Sequence, residues 1–307
     1  MAKTINQIIT ETTNKLLTES NNSEQAAQAE SWWLLEKVTK KRQAELIREE
    51  KATLTHEQEK ALELYITQRT KENKPLQYIL GTVPFCGLEI LVEPPTLIPR
   101  PETEEWCDRL IQKLDPVKEE RLTILDIGVG SGCIALALAK AFPYATVIGV
   151  DAHSHAIRLS EKNKTHNKIP NALFIKSDLY RELGQYKGII DLIVSNPPYI
   201  SEKEFLGLSK EVTDWEDKSA LVTYDEGLAI HKKIVSEAKC YLKKESVLTK
   251  NKLPQLLLEF GKGQETNLLE MVSQAGFTNI TIENDMEKVP RWITATNFVY
   301  PETERKN

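Results

Sequence analysis

Three features of the sequence predict an α/β fold with a mostly parallel sheet and a small helical domain ahead of it. From Leu122 onward short apolar runs alternate with helical stretches, the rhythm of βαβ units. The first run leads into Asp126-Ile127-Gly128-Val129-Gly130-Ser131-Gly132, a glycine turn followed by a helix rich in alanine and leucine. The fourth leads into Ser195-Asn196-Pro197-Pro198-Tyr199, rigid polar chemistry at a strand's C-terminal edge, where open α/β sheets bind ligands.

The chain divides into three segments. Residues 1–74 form the helical domain: Ile5, Ile8, Ile9 and Leu16 follow a 3.6 period, and Thr55-His56-Glu57-Gln58 resembles a capping box ahead of Ala61, Leu62, Tyr65 and Ile66. Trp32 and Trp33, among Leu34, Leu35 and Val38, suit either its core or a partner-facing patch, and the core is the favoured assignment. Residues 75–105 form a hairpin and proline-rich linker, with extended runs at Gln77–Leu80 and Leu88–Val92 separated by Gly81, Pro84 and Gly87. In Leu97-Ile98-Pro99-Arg100-Pro101-Glu102-Thr103-Glu104 the prolines break regular structure, and Glu102 and Glu104 open the next helix, where acidic residues complement the helix dipole. Residues 106–307 carry strands at Leu122–Ile127, Thr146–Val150, Leu173–Ile175, Ile189–Val194 and Leu256–Phe260, with two more around Ile280–Ile282 and Trp292–Thr296. The lysine-rich piece Lys243–Lys252 reads as a solvated loop.

Composition narrows the function. At 307 residues, 40% hydrophobic and 28% charged, the chain is that of a folded globular protein. No segment has the apolar length needed to span a bilayer, so no membrane association is expected. The N-terminal stretch Met1–Gln7 lacks both the apolar core of a signal peptide and the Arg-rich, acid-poor character of a transit peptide, so an intracellular protein is expected, with organelle import left open. Cys86, Cys107, Cys133 and Cys240 are widely spaced and read as reduced thiols. A net charge of −5 argues against a broad nucleic-acid footprint, though a small base-binding pocket would escape that test.

The glycine turn distinguishes two ligand classes. A dinucleotide fingerprint reads G-x-G-x-x-G and cradles a pyrophosphate. Here the spacing is G-x-G-x-G after an aspartate, which suits a ligand without phosphate, S-adenosylmethionine. Gly128, Val129, Gly130, Ser131 and Gly132 admit its methionine and ribose portions, and Asp126 faces the cationic amino acid part. Asp151, at the end of the second strand, is placed to accept from both ribose hydroxyls. Asp178 and Leu179 follow the third strand beside the expected adenine. Asn196 is counted with both the cofactor site and the chemistry.

Asn196, Pro197, Pro198 and Tyr199 offer a planar acceptor pair beside an aromatic face. The prolines fix φ and donate no backbone hydrogens, so the Pro197 carbonyl can aim away from a sheet partner. Such a site suits a planar group carrying an NH2, either an amide or a nucleobase edge. His153, His155 and His166 raise the possibility of a metal. On a helix, however, His153 and His155 would point about 200° apart with no cysteine or acidic ligand to complete a shell, and no metal is expected.

Together these motifs resemble the HemK/PrmC family of protein glutamine N5-methyltransferases. The resemblance runs from the helical domain through Pro75–Gly81, Leu97–Glu104, the glycine turn and the Asn-Pro-Pro-Tyr tetrapeptide, with further matches at Glu216, Ala220-Leu221 and Asp225-Glu226-Gly227-Leu228. It implies a seven-stranded Rossmann-like class I S-adenosylmethionine-dependent methyltransferase domain. The implied substrate is the glutamine of the Gly-Gly-Gln loop of peptide-chain release factors. Asn196 to Tyr199 would act in catalysis, Arg100, Pro101, Glu102 and Glu104 in substrate positioning, and the enzyme would be a monomer with the release factor as partner. Leu179 departs from the aromatic residue often found there, and Glu259-Phe260-Gly261 is a loose version of a late strand that leaves the chemistry untouched. Two rivals stand beside this reading. One is a nucleic-acid methyltransferase acting on an exocyclic amine, since the tetrapeptide also occurs in adenine-N6 enzymes; the other is an idle cofactor-fold binding protein.

Overall fold

The computed structural model describes residues 3–19, 23–49 and 53–297; Met1, Ala2 and residues 298–307, within the terminal segments assigned above, lie outside it. The chain forms two compact units, one of residues 1–82 with 209–215, the other of residues 83–208 with 216–307. The first boundary thus falls inside the segment read as a linker. Gln77–Leu80, expected to be extended, belongs to a short helix, Leu76–Leu80, because Leu76 and Ile79 bury against the helical core and Gly81 caps the turn in the left-handed region.

The helical unit packs α1 (Ile5–Glu19), α2 (Glu24–Thr39), α3 (Gln43–Arg48), α4 (His56–Thr70) and α5 (Leu76–Leu80). Ile5, Ile8, Ile9 and Leu16 of α1 meet Leu34 and Leu35 of α2 and Leu62 and Ile66 of α4 in one apolar cluster. The capping box of α4 forms as its sequence suggests, Thr55 and Gln58 each binding the other's backbone N–H. Trp32 packs against the cluster, but Trp33, assigned above to the core, is 48% exposed on the opposite face of α2. Inside the unit Arg69 is buried in a bidentate pair with Glu30, at 2.9 and 3.0 Å, and reaches Glu211 at 2.7 Å.

The second unit opens on a two-stranded sheet, β1 (Thr82–Phe85) and β2 (Leu88–Leu91), followed by α6 (Pro101–Lys113). Its seven-stranded sheet consists of β3 (Thr123–Ile127), β4 (Thr146–Asp151), β5 (Ala172–Lys176), β6 (Leu192–Ser195), β7 (Leu256–Glu259), β8 (Thr278–Asn284) and β9 (Pro290–Thr296), in the order β5-β4-β3-β6-β7-β9-β8. The strands from β5 to β7 run parallel, while β9 lies antiparallel to β7 and β8. α7 (Cys133–Ala141) and α8 (Ser154–His166) supply the first crossovers. The parallel strands read as continuous apolar runs because both their faces are covered, and Leu125, Ile148, Ile193, Leu256 and Leu258 are fully buried. The strand order reverses beside β3, so the C-terminal ends of β3 and β6, paired at Ile127 and Ser195, frame a crevice. The Lys243–Lys252 stretch is more than a solvated loop. Ser246 and Thr249 cap a short helix, Val247–Lys250, whose Leu248 is buried, and Lys243 pairs with Asp191 at 2.7 Å.

Removing Arg69 would leave the Glu30 carboxylate buried without a counter-charge. Arg69→Ala is expected to destabilise the helical unit by roughly 3–5 kcal/mol, read as a lowered urea midpoint; a loss below 1 kcal/mol would show the pair to be dispensable.

Candidate active site

The crevice opens into a cavity of about 260 Å³ whose lining includes Thr96, Gly128, Gly130, Asp151, Asp178, Leu179, Asn196, Pro197 and Pro198. These residues come from the ends of four strands and the loop before α6, and the parallel register brings them to one edge. Gly128 and Gly130 hold φ of +78° and +53°, which L side chains rarely adopt, and beyond the adjoining residues the nearest atom to where a Cβ would stand is 3.9 Å away at each. The turn is therefore open toward the cavity. Val129 and Ser131 are buried beneath it and Gly132 caps α7, so these three shape the turn without lining the cavity.

Two aspartates flank the turn in different ways. Both Asp151 oxygens are already oriented by backbone, Oδ2 accepting from Gly130 N–H at 3.0 Å and Oδ1 from His153 N–H at 2.9 Å, and each keeps a further lone pair. Asp126 lies under the turn, fully buried. Its Oδ2 accepts from Ala135 N–H at 3.1 Å, while Oδ1 has no hydrogen-bond partner among the described residues. Burial pushes its carboxyl up to about 7 against the pull of the Ala135 N–H, with the nearby Asp151 charge adding to the rise. Asp126 thus stands outside the cavity lining and acts on it only through its charge, while the open glycine turn and the strand-end carboxylate of Asp151 line it and fit a ligand with a ribose, of which S-adenosylmethionine is one. Leu179 adopts a left-handed φ of +51°, with its carbonyl held by Ser177 Oγ at 2.8 Å, and both it and Asp178 face the cavity.

Asn196 follows β6, whose last residue, Ser195, donates its hydroxyl to Ile127 O at 2.6 Å and so locks the two strand ends together. The Asn196 amide is not free to rotate. Its Nδ2 donates to Thr103 Oγ1 at 3.0 Å, Thr103 donates to Glu259 Oε2 at 2.7 Å, and Trp106 Nε1 donates to the same oxygen at 2.7 Å. This chain turns the Asn196 amide so that Oδ1 is left as the acceptor. Tyr199 OH lies 3.4 Å from Glu259 Oε1, and burial beside that carboxylate holds the phenol well above its usual range. Glu259 is itself buried; desolvation raises its carboxyl, and the Trp106 and Thr103 donors oppose the rise. The sequence reading set Glu259 apart from the chemistry, yet it anchors the residues that orient Asn196. A charged residue ending an apolar strand was the available signal.

Gln264 ties the other side of the tetrapeptide, donating to the carbonyls of Tyr199 and Glu226 at 2.8 and 2.9 Å. Gly227 sits so close that an added Cβ would lie 2.0 Å from Tyr199 O, which gives the Asp225-Glu226-Gly227 stretch a physical reason for its glycine. Arg100, Pro101, Glu102 and Glu104 lie outside the cavity lining. Arg100 pairs with the buried Glu216 at 2.5 Å, Pro101 and Glu102 open α6, and Glu104 accepts from Cys86 N–H at 2.7 Å. The histidine geometry differs from the expectation. His153 precedes α8 in extended backbone, so its ring converges with that of His155, centroids 5.3 Å apart, and Asp217 supplies a nearby carboxylate.

Family models match the chain at both ends of this description: a PrmC N-terminal domain over residues 9–81 and a methyltransferase small domain over residues 107–212. The release factor glutamine methyltransferase of Geobacter sulfurreducens is 38% identical over 226 residues, covering 74% of this chain and 74% of that protein. That of Coxiella burnetii is 34% identical over 262 residues, covering 85% and 89%. Among solved structures, the hMettl16 catalytic domain in complex with MAT2A 3′UTR hairpin 6 aligns over 80% of this chain and 84% of its own, with a TM-score of 0.51 and 16% identity, a likeness of fold alone.

With Asp126 rising to about 7 in the unliganded protein, the stability it contributes is lost as pH climbs from 3.8 toward 7. A cationic ligand reverses that preference. S-adenosylmethionine affinity is therefore expected to tighten on the order of tenfold from pH 6 to pH 8, levelling above 7, and Asp126→Asn to flatten the profile. Calorimetry across that range checks it; an equally steep profile in the variant would assign the titration elsewhere.

Proposed function

This chain belongs to the release factor glutamine methyltransferase family, and from that premise we propose that it methylates the side-chain amide nitrogen of the glutamine in a release factor's Gly-Gly-Gln loop, with Asn196 and Pro197 as the residues that hold the amide. The observation that carries this reading is the anchored Asn196, a residue of the cavity lining whose Nδ2 donates to Thr103 and so fixes the amide with Oδ1 as its acceptor.

An amide nitrogen is a poor nucleophile because its lone pair is delocalised into the carbonyl. The protein's task is therefore to fix the NH2 in position. Asn196 Oδ1 and the Pro197 carbonyl each accept one amide hydrogen, and Tyr199 packs against the amide plane. S-adenosylmethionine, when bound, supplies an electrophilic methyl group on a sulfonium. The glycine turn would hold its amino acid part, with Asp126 beneath the turn supplying negative charge, Asp151 would accept from its ribose hydroxyls, and Asp178 and Leu179 would flank its adenine. No side chain in the tetrapeptide is a general base, so catalysis rests on placement. A near-attack geometry supplies about 7–11 kcal/mol, and preorganised acceptors about 3 kcal/mol each. Arg100, pinned by Glu216, and the first turn of α6 would position the substrate loop by fixing the segment that carries Thr103. The helical unit would receive the body of the release factor.

Asn196→Ala is expected to lower turnover by about 10²-fold or more while changing cofactor affinity far less. Thr103→Val, which removes the anchor and leaves the acceptor, should lower turnover by about tenfold at nearly unchanged cofactor affinity, since misplacement alone is costly. Equal losses of turnover and cofactor affinity in both would count against the assignment. The decisive assay is mass spectrometry of a release factor incubated with the protein and S-adenosylmethionine, with DNA and RNA in parallel. A gain of one methyl on the Gly-Gly-Gln glutamine is expected; methylated adenine instead would overturn the substrate.

A further inference from the structure

We propose that His153, His155 and Asp217 form a site for one borderline-soft divalent transition metal, of the Zn2+ or Co2+ class, at the lip of the cofactor cavity. The three residues arrive from separate directions. His153 is held in extended backbone, φ −97° and ψ 124°, by its own N–H on Asp151, and His155 lies in the first turn of α8. Asp217 caps the short helix Lys218–Leu221. One donor atom from each residue lies within 4.8 Å of the others. Asp217 Oδ2 stands 4.0 Å from His153 Nδ1 and 3.9 Å from His155 Nε2. Metal–nitrogen and metal–oxygen bonds of about 2.0–2.2 Å in a tetrahedron need donors roughly 3.3–3.5 Å apart, so Asp217 closes on each imidazole by about half an ångström, and the two imidazoles, within 4.8 Å of one another, close by up to about 1.4 Å through side-chain rotation.

The surrounding hydrogen bonds are those a metal would require. Asp217 Oδ1 is taken up by Ser219, accepting from its N–H at 2.9 Å and its hydroxyl at 2.7 Å, which leaves Oδ2 to face the imidazoles. Ser219 Oγ also lies 3.1 Å from His153 Nε2. A metal on Nδ1 makes Nε2 the protonated nitrogen, which then donates to the serine oxygen, while the serine hydrogen goes to Asp217. One serine thus orients two ligands, the usual service of groups behind a metal shell. Two imidazoles with one carboxylate favour zinc-like ions over magnesium or calcium, which prefer all-oxygen shells. The three side chains are 43%, 28% and 23% exposed, so an ion can reach them from solvent and a fourth position stays open. Since all three residues also line the cavity, a bound metal would tie the loop after β4 to the Asp217–Ala220 segment across its mouth.

The test uses the untagged full-length protein, stripped of metal and titrated with Co2+, whose visible absorption bands report its ligands. One equivalent is expected to bind with bands displaced by Zn2+, and excess Mg2+ to leave them unchanged. His155→Gln and Asp217→Asn should each weaken Co2+ binding by more than about tenfold. Asparagine still caps the helix at 217, and circular dichroism verifies that each variant is folded. Absence of stoichiometric Co2+ binding, or binding of unchanged affinity and spectrum in both folded variants, would overturn the proposal.

Discussion

The site depends on one buried carboxylate. Glu259, 1% exposed at the end of β7, stands among apolar neighbours and would be costly there without partners. Thr103 and Trp106, both from α6, donate to a single oxygen of it, and Thr103 in turn accepts from Asn196. Each group is satisfied only if the others hold their places. A helix, a central strand and the loop after β6 are thereby fixed against one another to hydrogen-bond precision. The outcome is that a side-chain amide, ordinarily free to flip, presents one defined face.

The cofactor side is organised by a different economy. Instead of long side-chain relays it uses main-chain groups: the Asp151 oxygens are aimed by two backbone N–H groups, and the glycine turn offers bare backbone. Such a site costs little conformational entropy to hold in place, because its elements are already set by the sheet. Asp126 keeps an oxygen with no hydrogen-bond partner among the described residues in a fully buried position, a cost of folding that the charge of a cationic ligand can offset.

How much of this was legible in the sequence follows from range. The glycine turn, Asp151 and the Asn-Pro-Pro-Tyr tetrapeptide are local patterns whose meaning depends on a strand before them, and apolar runs give strands away. All seven strands of the sheet were marked by such runs. Glu259 and Thr103 lie 156 residues apart, and no local pattern ties a threonine in a proline-rich segment to a glutamate ending a distant strand. The histidine pair departs from helix periodicity for a related reason: α8 begins one residue after His153, so the helical angle between His153 and His155 does not apply. Gln77–Leu80 looked extended by its residue types, but burial of Leu76 and Ile79 favoured a helical turn. Trp33 shows the opposite failure, a large aromatic whose neighbours suggested a core that its face of the helix does not meet.

The excursion of residues 209–215 into the helical unit makes the chain's division unlike that of beads on a string. The polypeptide passes between the two units three times, after residues 82, 208 and 215. A single nick at any one crossing therefore leaves two peptide connections intact. The helical unit is closer to a stitched patch than to a detachable tag. Gene fusions or shuffling events that exchange only the N-terminal stretch would carry away about nine-tenths of the unit's residues and leave behind the strip holding Glu211, the residue that completes the bonding of Arg69.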